Sequence, residues 1–420
     1  MHARSGAVKE GTGVAAGGAG DRILRVPVRR RPALLVLALA GAACGVGEPG
    51  FDPPPLDAPL ASVAVGVLHT CGTTTTNRVY CWGWNRDGEL GDGSHSDRHL
   101  PVRVVSESSF ALVSSGGGHT CGVTASGKAY CWGFDLSGQL GNGGLAGAST
   151  PVAVAGGLTL RTLEAGGAFT CGLATDSTAW CWGWGAHGQL GDSGRVDRPA
   201  PVAVAGNLRF LAVGVGAQHA CGLAVDSTAW CWGANDAGQL GTGATVDTVV
   251  PVPVTGGRKF TALSTGFTHT CALEASGDAD CWGDNTLGQL GDTLVNRALG
   301  PTRVLGGLVF ASISAGGSHT CGVTVSGAGY CWGSDGNGQL GSQPAVLCAA
   351  SGAAQPCTRV PALISGGLTF GSLSAGTQHS CGLTTGHVAY CWGLNDRGQL
   401  GDGSTGGSVT PVSVGKQFGP

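Results

Sequence analysis

The tripeptide Cys-Trp-Gly recurs seven times along the chain, and this recurrence restricts the possible folds more than any other feature of the sequence. It begins at residues 81, 131, 181, 231, 281, 331 and 391, so the spacing is 50 residues five times and then 60. A fixed period of this length indicates a solenoid or a propeller, in which each repeat is one supersecondary unit. The chain is therefore a repeat array rather than a set of unrelated domains.

Each repeat contains four short stretches with strand character, separated by turn residues. In the fourth repeat they are PVAVAG, LRFLAVGVG, HACGLAV and TAWCWGAN. Four strands in each of seven repeats predict an all-β chain that folds as a seven-bladed β-propeller with four antiparallel strands per blade. The abundance of glycine, 79 residues in all, fits the many tight turns that such a fold needs.

The two ends of the array predict how the ring closes. The first repeat lacks the Pro-Val strand that opens repeats two to seven, and the segment TPVSVG at Thr410–Gly415 supplies an extra one after the last repeat. We therefore expect this C-terminal strand to join the first blade and to lock the ring.

The repeat also resembles that of a known family. The motif G-x-x-H-[TS]-C-G-[LV], the aromatic residue before Cys-Trp-Gly and the motif G-Q-L-G are similar to the regulator of chromosome condensation repeat family, over about residues 58–415. The resemblance implies a seven-bladed propeller, in agreement with the strand count. It also implies two activities found among relatives: guanine-nucleotide exchange on a small GTPase, and secreted enzyme inhibition, including that of a β-lactamase.

The N-terminal residues are typical of an export signal. Five arginines between residues 22 and 31 precede the apolar run PALLVLALAGAAC, which is too short to span a bilayer and ends in small residues. Residues 40–42 fit an A-x-A cleavage site, whereas LAGAAC resembles a bacterial lipoprotein signal in which Cys44 is acylated. We leave both processing routes open. Either one predicts an exported protein, located in the bacterial cell envelope or outside the cell.

The predicted organisation has three parts. Residues 1–44 form the export signal, 45–57 a linker rich in Pro and Gly, and 58–420 the propeller. Beyond residue 44 the chain has 16 basic and 24 acidic residues, and it has no basic run. This balance disfavours nucleic acid or an anionic membrane surface as a partner. Attachment to a membrane would therefore depend on the lipid on Cys44.

The hairpin of the second repeat places two cysteines opposite each other. Cys121 and Cys131 lie symmetrically about Ser126, and a three-residue loop ending in Gly127 suits such a hairpin, because Gly accepts the left-handed conformation. The residue at this loop position differs among repeats, so we expect the turn to vary. The other repeats have Asn77, Ser177, Ser227, Gly277, Gly327 and His387.

The next pair inward consists of a Gly opposite an aromatic residue in six repeats. Gly122 and Tyr130 are an example, and the pattern predicts an aromatic ring lying over the bare Gly. In the fifth repeat Ala272 replaces the Gly and Asp280 replaces the aromatic residue, so the two positions change together.

An even set of cysteines behind an export signal predicts a disulfide framework that stabilises the blades outside the cell. Seven pairs lie ten residues apart, an eighth lies in an insertion in the sixth repeat, and Cys44 is left over. The predicted disulfides are Cys71–Cys81, Cys121–Cys131, Cys171–Cys181, Cys221–Cys231, Cys271–Cys281, Cys321–Cys331, Cys348–Cys357 and Cys381–Cys391.

The sequence gives little reason to expect a metal ion or a cofactor, and we predict neither. A His lies two residues before the first Cys in six repeats, and a His with two Cys is part of many zinc sites. The third repeat has Phe169 instead, however, and no fourth ligand recurs. We favour a structural His that bonds a neighbouring backbone.

The other recurring residues are expected to be structural. The Trp of Cys-Trp-Gly should pack between blades, and the Leu of G-Q-L-G should fill the core. The Asp that often follows this motif should form a turn.

No arrangement of residues typical of an enzyme appears, so binding residues are expected where the repeats differ. Trp84, Phe134 and Trp184 follow Cys-Trp-Gly and are candidate aromatic anchors. The insertion supplies the other candidates: Gln343, Pro344, Val346, Leu347 and Gln355.

We predict an exported, monomeric scaffold that binds a protein or a glycan. A GTPase exchange factor and a secreted enzyme inhibitor are the alternatives, and the export signal disfavours the first because small GTPases are intracellular.

Overall fold

Antiparallel sheets follow one another along the part of the chain that the structure describes, which in this computed structural model is residues 52–293, 296–343, 346–350 and 353–417. Seven such sheets, or blades, form a ring. The first strand of each blade contacts the first strand of the next, and that of the seventh contacts that of the first. The predicted all-β, seven-bladed propeller is confirmed. The predicted export signal with Cys44 lies outside the described residues.

Each blade is built from four strands in chain order, counted from the ring axis outward. The innermost strands are β1 (Leu60–Val65), β5 (Phe110–Ser115), β9 (Leu160–Ala165), β13 (Phe210–Val215), β17 (Ala262–Thr265), β21 (Phe310–Ala315) and β26 (Phe370–Ala375). The second strands are β2 (His69–Thr74), β6 (His119–Thr124), β10 (Phe169–Ala174), β14 (His219–Ala224), β18 (His269–Leu273), β22 (His319–Thr324) and β27 (His379–Thr384).

The Cys-Trp-Gly motif lies on the third strand, and the Pro-Val stretches form the fourth. The third strands are β3 (Val79–Gly83), β7 (Ala129–Gly133), β11 (Ala179–Gly183), β15 (Ala229–Gly233), β19 (Ala279–Asp284), β23 (Gly329–Ser334) and β28 (Ala389–Gly393). The outer strands are β4 (Arg98–Arg103), β8 (Ala148–Ala153), β12 (Arg198–Ala203), β16 (Thr248–Pro253), β20 (Arg297–Arg303), β25 (Ala353–Leu363) and β29 (Ser408–Ser413). A further strand, β24 (Val346–Ala350), extends the sixth blade, and a 3-10 turn at Ala155–Gly157 links the second and third blades.

Because neighbouring strands are antiparallel, the connections alternate between two faces of the ring. The segments after the first and third strands lie on one face, which contains the G-Q-L-G turns and is called the GQLG face below. The turns between second and third strands lie on the opposite face with the inter-blade linkers, and this is called the hairpin face.

The predicted closure by strand exchange is wrong. Strand β29 pairs with β28 as the outer strand of the seventh blade, and the first blade is complete with β1 to β4. The reason is that each Pro-Val strand pairs with the Cys-Trp-Gly strand before it, so a repeat ends with this strand rather than opening with it. The chain ends meet through loops instead: the Leu56 N–H donates to the Lys416 carbonyl at 2.9 Å, and the Lys416 ammonium lies 2.7 Å from Asp52.

The structure contains all eight predicted disulfides. In the seven hairpins the two cysteines are directly opposed, as in the pairing of Cys121 with Cys131, and their Cα atoms are 4.0 to 4.1 Å apart. This separation is close to that of a non-hydrogen-bonded cross-strand pair. All fourteen of these cysteines are fully buried, together with the Trp of each Cys-Trp-Gly and the Leu of each G-Q-L-G or G-E-L-G turn. The predicted core roles of Trp and Leu are thereby confirmed.

The hairpin turn has the same backbone in every blade, contrary to the expected variation. Its last loop residue is left-handed throughout, with φ between 62° and 84°, whether it is Gly, Asn, Ser or His. An inter-blade bond fixes this conformation in six blades, because the carbonyl of that residue accepts an N–H from the start of the next blade. The bond from Phe110 to Asn77, at 2.9 Å, is an example. In the seventh blade the left-handed residue His387 uses Nδ1 to bond the Leu60 carbonyl at 2.9 Å.

The predicted register of Gly and aromatic residue is confirmed, but a different side chain fills the space at the Gly. Gly122 lies opposite Tyr130. A Cβ atom added to Gly122 would lie 2.7 Å from the ring of Phe110, which belongs to the innermost strand of the same blade. That ring packs on Trp132 with 5.8 Å between centroids. The Gly therefore makes room for the first-strand side chain rather than for the opposing aromatic ring.

The exceptional pair of the fifth blade is an ionic site. Asp280 is fully buried opposite Ala272. Its carboxylate contacts the guanidinium of Arg258 at 3.0 Å and that of Arg303 at 3.1 Å. Two cations thus compensate the buried charge that replaces an aromatic ring.

Candidate functional site

A ring of seven glycines sets the width of the central channel near the GQLG face. A Cβ atom on any of them would lie only 2.3 to 2.7 Å from the carbonyl oxygen of the equivalent glycine in the next blade. Neighbouring blades therefore approach as closely as their backbones allow, which explains the Gly of the G-x-x-H motif. The ring consists of Gly66, Gly116, Gly166, Gly216, Gly266, Gly316 and Gly376.

A chain of hydrogen bonds joins neighbouring blades behind this ring. The Thr170 hydroxyl donates to the Gln139 carbonyl at 3.0 Å, and the indole N–H of Trp182 donates to the same oxygen at 3.0 Å. His119 Nε2 lies 2.9 Å from the Thr170 oxygen. Because the hydroxyl has already donated its one hydrogen, it accepts from the imidazole, and this places the histidine proton on Nε2.

The same bond between imidazole and hydroxyl occurs at six junctions. The pairs are His69–Thr120, His119–Thr170, His219–Thr270, His269–Thr320, His319–Ser380 and His379–Thr70. Burial lowers the pKa of these histidines from 6.5 to about 3 or about 4, so they are neutral in the folded protein. The histidine is structural, as predicted, but its partner is a side-chain hydroxyl of the next blade and not a backbone group.

The junction between the third and fourth blades lacks this bond. Phe169 replaces the histidine and Ala220 replaces the threonine, and both are fully buried in one apolar cluster. Trp232 still donates to the carbonyl of Gln189, at 2.9 Å. The two residues that would have formed the polar pair are thus replaced together.

Two absences in the described ranges concern metal ions and membrane-spanning helices. No group of three or more His, Cys, Asp or Glu side chains in them is arranged to hold a metal ion. No helix in the same ranges is long and apolar enough to cross a membrane.

The central channel contains a cavity of about 330 Å³ next to the glycine ring. Glu164 is the one charged side chain among the described residues that line it. The Ser114 hydroxyl donates to its carboxylate at 3.1 Å, and burial raises the pKa of Glu164 to about 7. The wall of the cavity therefore changes charge near neutral pH. The sequence analysis missed this residue, although the repeat alignment signals it: the other six repeats have Ala64, Ser114, Gly214, Ser264, Ser314 and Ser374 there.

The predicted aromatic anchors lie together on the GQLG face of three consecutive blades. Trp84, Phe134 and Trp184, called the aromatic arc below, are half-buried. Their N–H groups donate to carbonyls in the loop that carries the glycine ring, at 2.7 to 3.0 Å, which places them just outside the channel rim. The guanidinium of Arg397, from the seventh blade, lies 4.5 Å from the Trp84 ring, and the His187 ring meets Trp184 edge-on at 5.2 Å.

The rest of the ring differs at this position. Ala234 and Ser334 are buried, Asp284 is half-buried, and only Leu394 of the seventh blade continues the apolar character of the arc. Leu136, beside Phe134 in sequence, is 70% exposed. At this position the GQLG face therefore carries an aromatic residue on blades one to three and a small or polar residue on blades four to six.

The insertion in the sixth blade is a hairpin fastened to its neighbour rather than a free loop. Strand β24 pairs with β25, and the Arg359 guanidinium donates to the carbonyls of Asn285 and Thr286, in the fifth blade, at 3.4 and 3.3 Å. Cys348 and Cys357 pack with Leu287 of that blade. This buried apolar contact adds to the disulfide in fixing the hairpin.

The predicted binding residues of the insertion that the structure describes are exposed or half-buried. Gln343, Val346 and Leu347 are exposed, and Gln355 is half-buried opposite Cys348. Pro344 lies outside the described residues. The structure does not bring these residues together with the aromatic arc, because the two sets lie on different parts of the ring.

These features define a closed repeat propeller whose interior is fixed by the repeat and whose rim varies from blade to blade. A model of the RCC1-like domain matches residues 41–357, and a model of the regulator of chromosome condensation (RCC1) repeat matches residues 372–399. The chain belongs to the RCC1-like domain family.

Similar structures support the fold. A chain in the crystal structure of Kap60 bound to yeast RCC1 (Prp20) superposes with a TM-score of 0.72 and 20% identity, over 87% of this chain and 88% of that one. Human WBSCR16 gives a TM-score of 0.71 and 20% identity, over 80% of this chain and 93% of that one. Among curated proteins, the ultraviolet-B receptor UVR8 of Arabidopsis thaliana is 45% identical over 47 residues, which is 11% of either chain.

Proposed function

We propose that this protein is an exported scaffold that binds a protein or a glycan through its GQLG face. The aromatic arc carries the proposal: three consecutive blades present half-buried aromatic side chains where the next three have Ala, Asp and Ser. Large aromatic rings supply contact area at a low cost in conformational entropy and are enriched at binding hot spots. The varied rim on an otherwise repeated interior is what a scaffold for recognition needs.

The disulfides support the exported location. Eight disulfides in a chain of 420 residues are typical of an oxidising compartment. The apolar run before Cys44 supports a location in the bacterial envelope with a lipid on this cysteine, or secretion after cleavage. Intact mass after thiol blocking, with and without reduction, tests both points. Free thiols together with retention of residues 1–44 would contradict export.

The binding face can be tested with paired variants. We would probe a glycan array and a panel of extracellular proteins with the oxidised propeller, its Trp84→Ala/Trp184→Ala variant, and a Val325→Ser control on the hairpin face, where Val325 is 71% exposed. We expect the double variant to weaken binding at least about tenfold, as for hot-spot truncations of roughly 1.4 kcal/mol or more, and the control to bind normally. Equal binding by the double variant and the wild type would exclude the aromatic arc.

The insertion is proposed as a second contact region. Val346 and Leu347 are 51% and 69% exposed on a strand that the disulfide and the fifth blade hold in place. Charge substitution of these two residues should weaken binding to an identified partner and leave the fold intact. Unchanged binding would remove the insertion from the interface.

Two alternative functions remain distinguishable. The crystal structure of Prp20p from Saccharomyces cerevisiae, reported with its binding properties to Gsp1p and histones, matches this chain with a TM-score of 0.70 and 21% identity. This likeness concerns the fold, so exchange activity needs its own test, namely release of labelled nucleotide from a small GTPase. Inhibition of a secreted enzyme is tested with β-lactamase. The scaffold proposal is favoured over exchange because of the predicted export.

A further inference from the structure

An asparagine two residues after Cys-Trp-Gly organises the outer loop on the GQLG face. In the fourth blade, Asn235 Oδ1 accepts the Leu240 N–H at 3.0 Å. Its Nδ2 group donates to the Thr242 hydroxyl at 3.3 Å and to the carbonyls of Ala244 and Val246 at 3.0 and 3.2 Å. The loop thus wraps around one amide, and three oxygen atoms converge on its NH₂ group.

The same arrangement recurs in the first and seventh blades. Asn85 Nδ2 donates to Asp92 Oδ1 and to the carbonyls of Ser94 and Ser96, at 3.0 to 3.3 Å. Asn395 bonds the equivalent oxygens of Asp402, Ser404 and Gly406 at 3.0 to 3.3 Å. Oxygens from the residues seven, nine and eleven positions after the Asn therefore surround its amide nitrogen.

The second blade has a carboxylate at this position. Asp135 is 1% exposed, and its Oδ1 accepts the Leu140 N–H at 2.8 Å, as the Asn oxygen does elsewhere. Its Oδ2 is buried and has no hydrogen-bond partner. The loop keeps its form, because the Gly144 N–H donates to Asn142 Oδ1 at 2.8 Å as the Ser94 N–H donates to Asp92 Oδ1 at 2.9 Å.

By the repeat equivalence, Asp135 Oδ2 occupies the place of an amide NH₂ group and is surrounded by oxygens of Asn142, Gly144 and Ala146. The position that provides two hydrogens where it is an asparagine, in the first, fourth, fifth and seventh blades, provides none here. Acceptors that face one another without a donor are costly in a buried place. A positive charge among them would remove this cost.

We propose that the second blade binds a hard cation, with calcium as its best representative, at Asp135 Oδ2 together with the side-chain oxygen of Asn142 and the carbonyls of Gly144 and Ala146. Carboxylate, amide and carbonyl oxygens are the usual ligands of calcium. Residues 143–147 are exposed, so water can complete the coordination. With a single carboxylate the site belongs to the weak class, with a dissociation constant on the order of 10⁻⁴–10⁻³ M. This proposal does not depend on the proposed binding function.

Asp135→Asn tests the proposal, because it supplies the amide that other blades use and should fold. At about 10 mM calcium, roughly ten times the expected dissociation constant, the melting temperature of the wild type should rise by about 1–3 °C relative to choline chloride of equal ionic strength. The variant should lose this shift, and equilibrium dialysis with radioactive calcium should find one ion fewer per chain. A sodium arm at equal ionic strength distinguishes a monovalent from a divalent occupant.

Asn235→Asp in the fourth blade is the control, since it places a carboxylate beside the Thr242 hydroxyl and the carbonyls of Ala244 and Val246, at the positions of Asn142, Gly144 and Ala146. It should gain calcium-dependent stability that the wild-type fourth blade lacks. Equal calcium responses of the wild type and Asp135→Asn would overturn the proposal, as would an Asn235→Asp variant destabilised equally with and without calcium. A wild type insensitive to both cations would identify a proton as the occupant of Asp135 and would also overturn it.

Discussion

The third blade and the other six share one backbone but differ in chemistry at three repeat positions. Elsewhere a histidine crosses to a hydroxyl of the next blade, a small residue lines the channel, and an Asn or Asp organises the outer loop. The third blade has Phe169, Glu164 and Gly185 at these positions, and Ala220 follows in the fourth. The ring geometry therefore does not depend on the histidine bond, whereas every blade contributes one glycine to the glycine ring.

Each departure in the third blade is matched by a local adjustment. The Phe169 side chain has no N–H to donate to a hydroxyl of the next blade. Ala220 has no hydroxyl, so no acceptor is left without its donor. At Gly185, a Cβ atom would lie 2.2 Å from the Val196 carbonyl, so the loop has moved into the space that an Asn side chain fills in other blades. The polar His–Thr pair and the apolar Phe–Ala pair can replace each other at a junction only when both residues change. The two pairs should respond differently to pH and to single substitutions.

The largest expected difference is the response to acid. The six buried histidines have their pKa lowered from 6.5 to about 3 or about 4, so they contribute stability above pH 6.5 that is lost as the pH falls toward these values. At about pH 5 each should cost roughly 2 kcal/mol of the free energy of unfolding. Denaturant unfolding of the oxidised protein between about pH 8 and pH 5 measures the loss.

A second apolar junction provides the control for that measurement. The pair His119→Phe with Thr170→Ala copies the arrangement at Phe169 and Ala220 and should reduce the pH dependence by about one sixth. Stability that stays constant down to about pH 4 would contradict the assignment of the histidines as buried and neutral.

Substitution at the exceptional junction should show that its two residues act as a pair. Phe169→His buries an Nε2–H with no acceptor, because Ala220 has no hydroxyl, and should cost about 3 kcal/mol from lost packing and the unpaired donor. Adding Ala220→Thr should recover at least about 1 kcal/mol. A double-mutant cycle by chemical denaturation gives the coupling energy, and strictly additive effects would refute the pairing.

The channel carboxylate of the third blade should have a smaller effect of opposite sign. The folded-state pKa of Glu164 is raised to about 7, so its stabilising contribution is complete below the unfolded value of about 4.5 and is lost as the pH rises through 7. Since the side chain is half-buried, Glu164→Gln should gain only about 1 kcal/mol at about pH 8 and nothing near pH 4. An equal gain at both pH values would show that ionisation is not the cause.

The smallest expected effect is the loss of stability when a residue that contacts the aromatic arc is substituted, and it can be compared at Trp84 and Trp184. Arg397→Gln removes the guanidinium that lies 4.5 Å from Trp84 and should cost about 0.5–1 kcal/mol. His187→Ala removes the edge contact with Trp184 and should cost no more. Thermal unfolding measures both, and a loss of several kcal/mol for either would mean that the arc is a structural element rather than an available surface.

The features that the sequence predicts well are contained within one repeat. The position of Cys121 relative to Cys131 depends on one hairpin, and the burial of Trp132 and Leu140 follows from the same strand pattern. The number of blades follows from counting Cys-Trp-Gly. The aromatic arc is also visible in the repeat alignment, because Trp84, Phe134 and Trp184 occupy one aligned position.

The features that the sequence analysis missed depend on contacts between repeats. The partner of His119 is Thr170, 51 residues away and in the next blade, so a comparison of positions within one repeat does not find it. The uniform turn likewise depends on a bond from the following blade. Phe169 and Ala220 do change together, but they belong to successive repeats, and only the ring shows that they are neighbours.

The junction between the last and the first blade has the histidine and tryptophan bonds found at five other junctions. His379 bonds the Thr70 hydroxyl at 2.8 Å, and Trp82 donates to the Gln399 carbonyl at 2.9 Å. With no exchanged strand, side-chain bonds between complete blades hold this closing junction together. A circular permutant that joins residue 417 to residue 52 through a linker and opens the chain in another inter-blade linker would have the same seven contacts between blades.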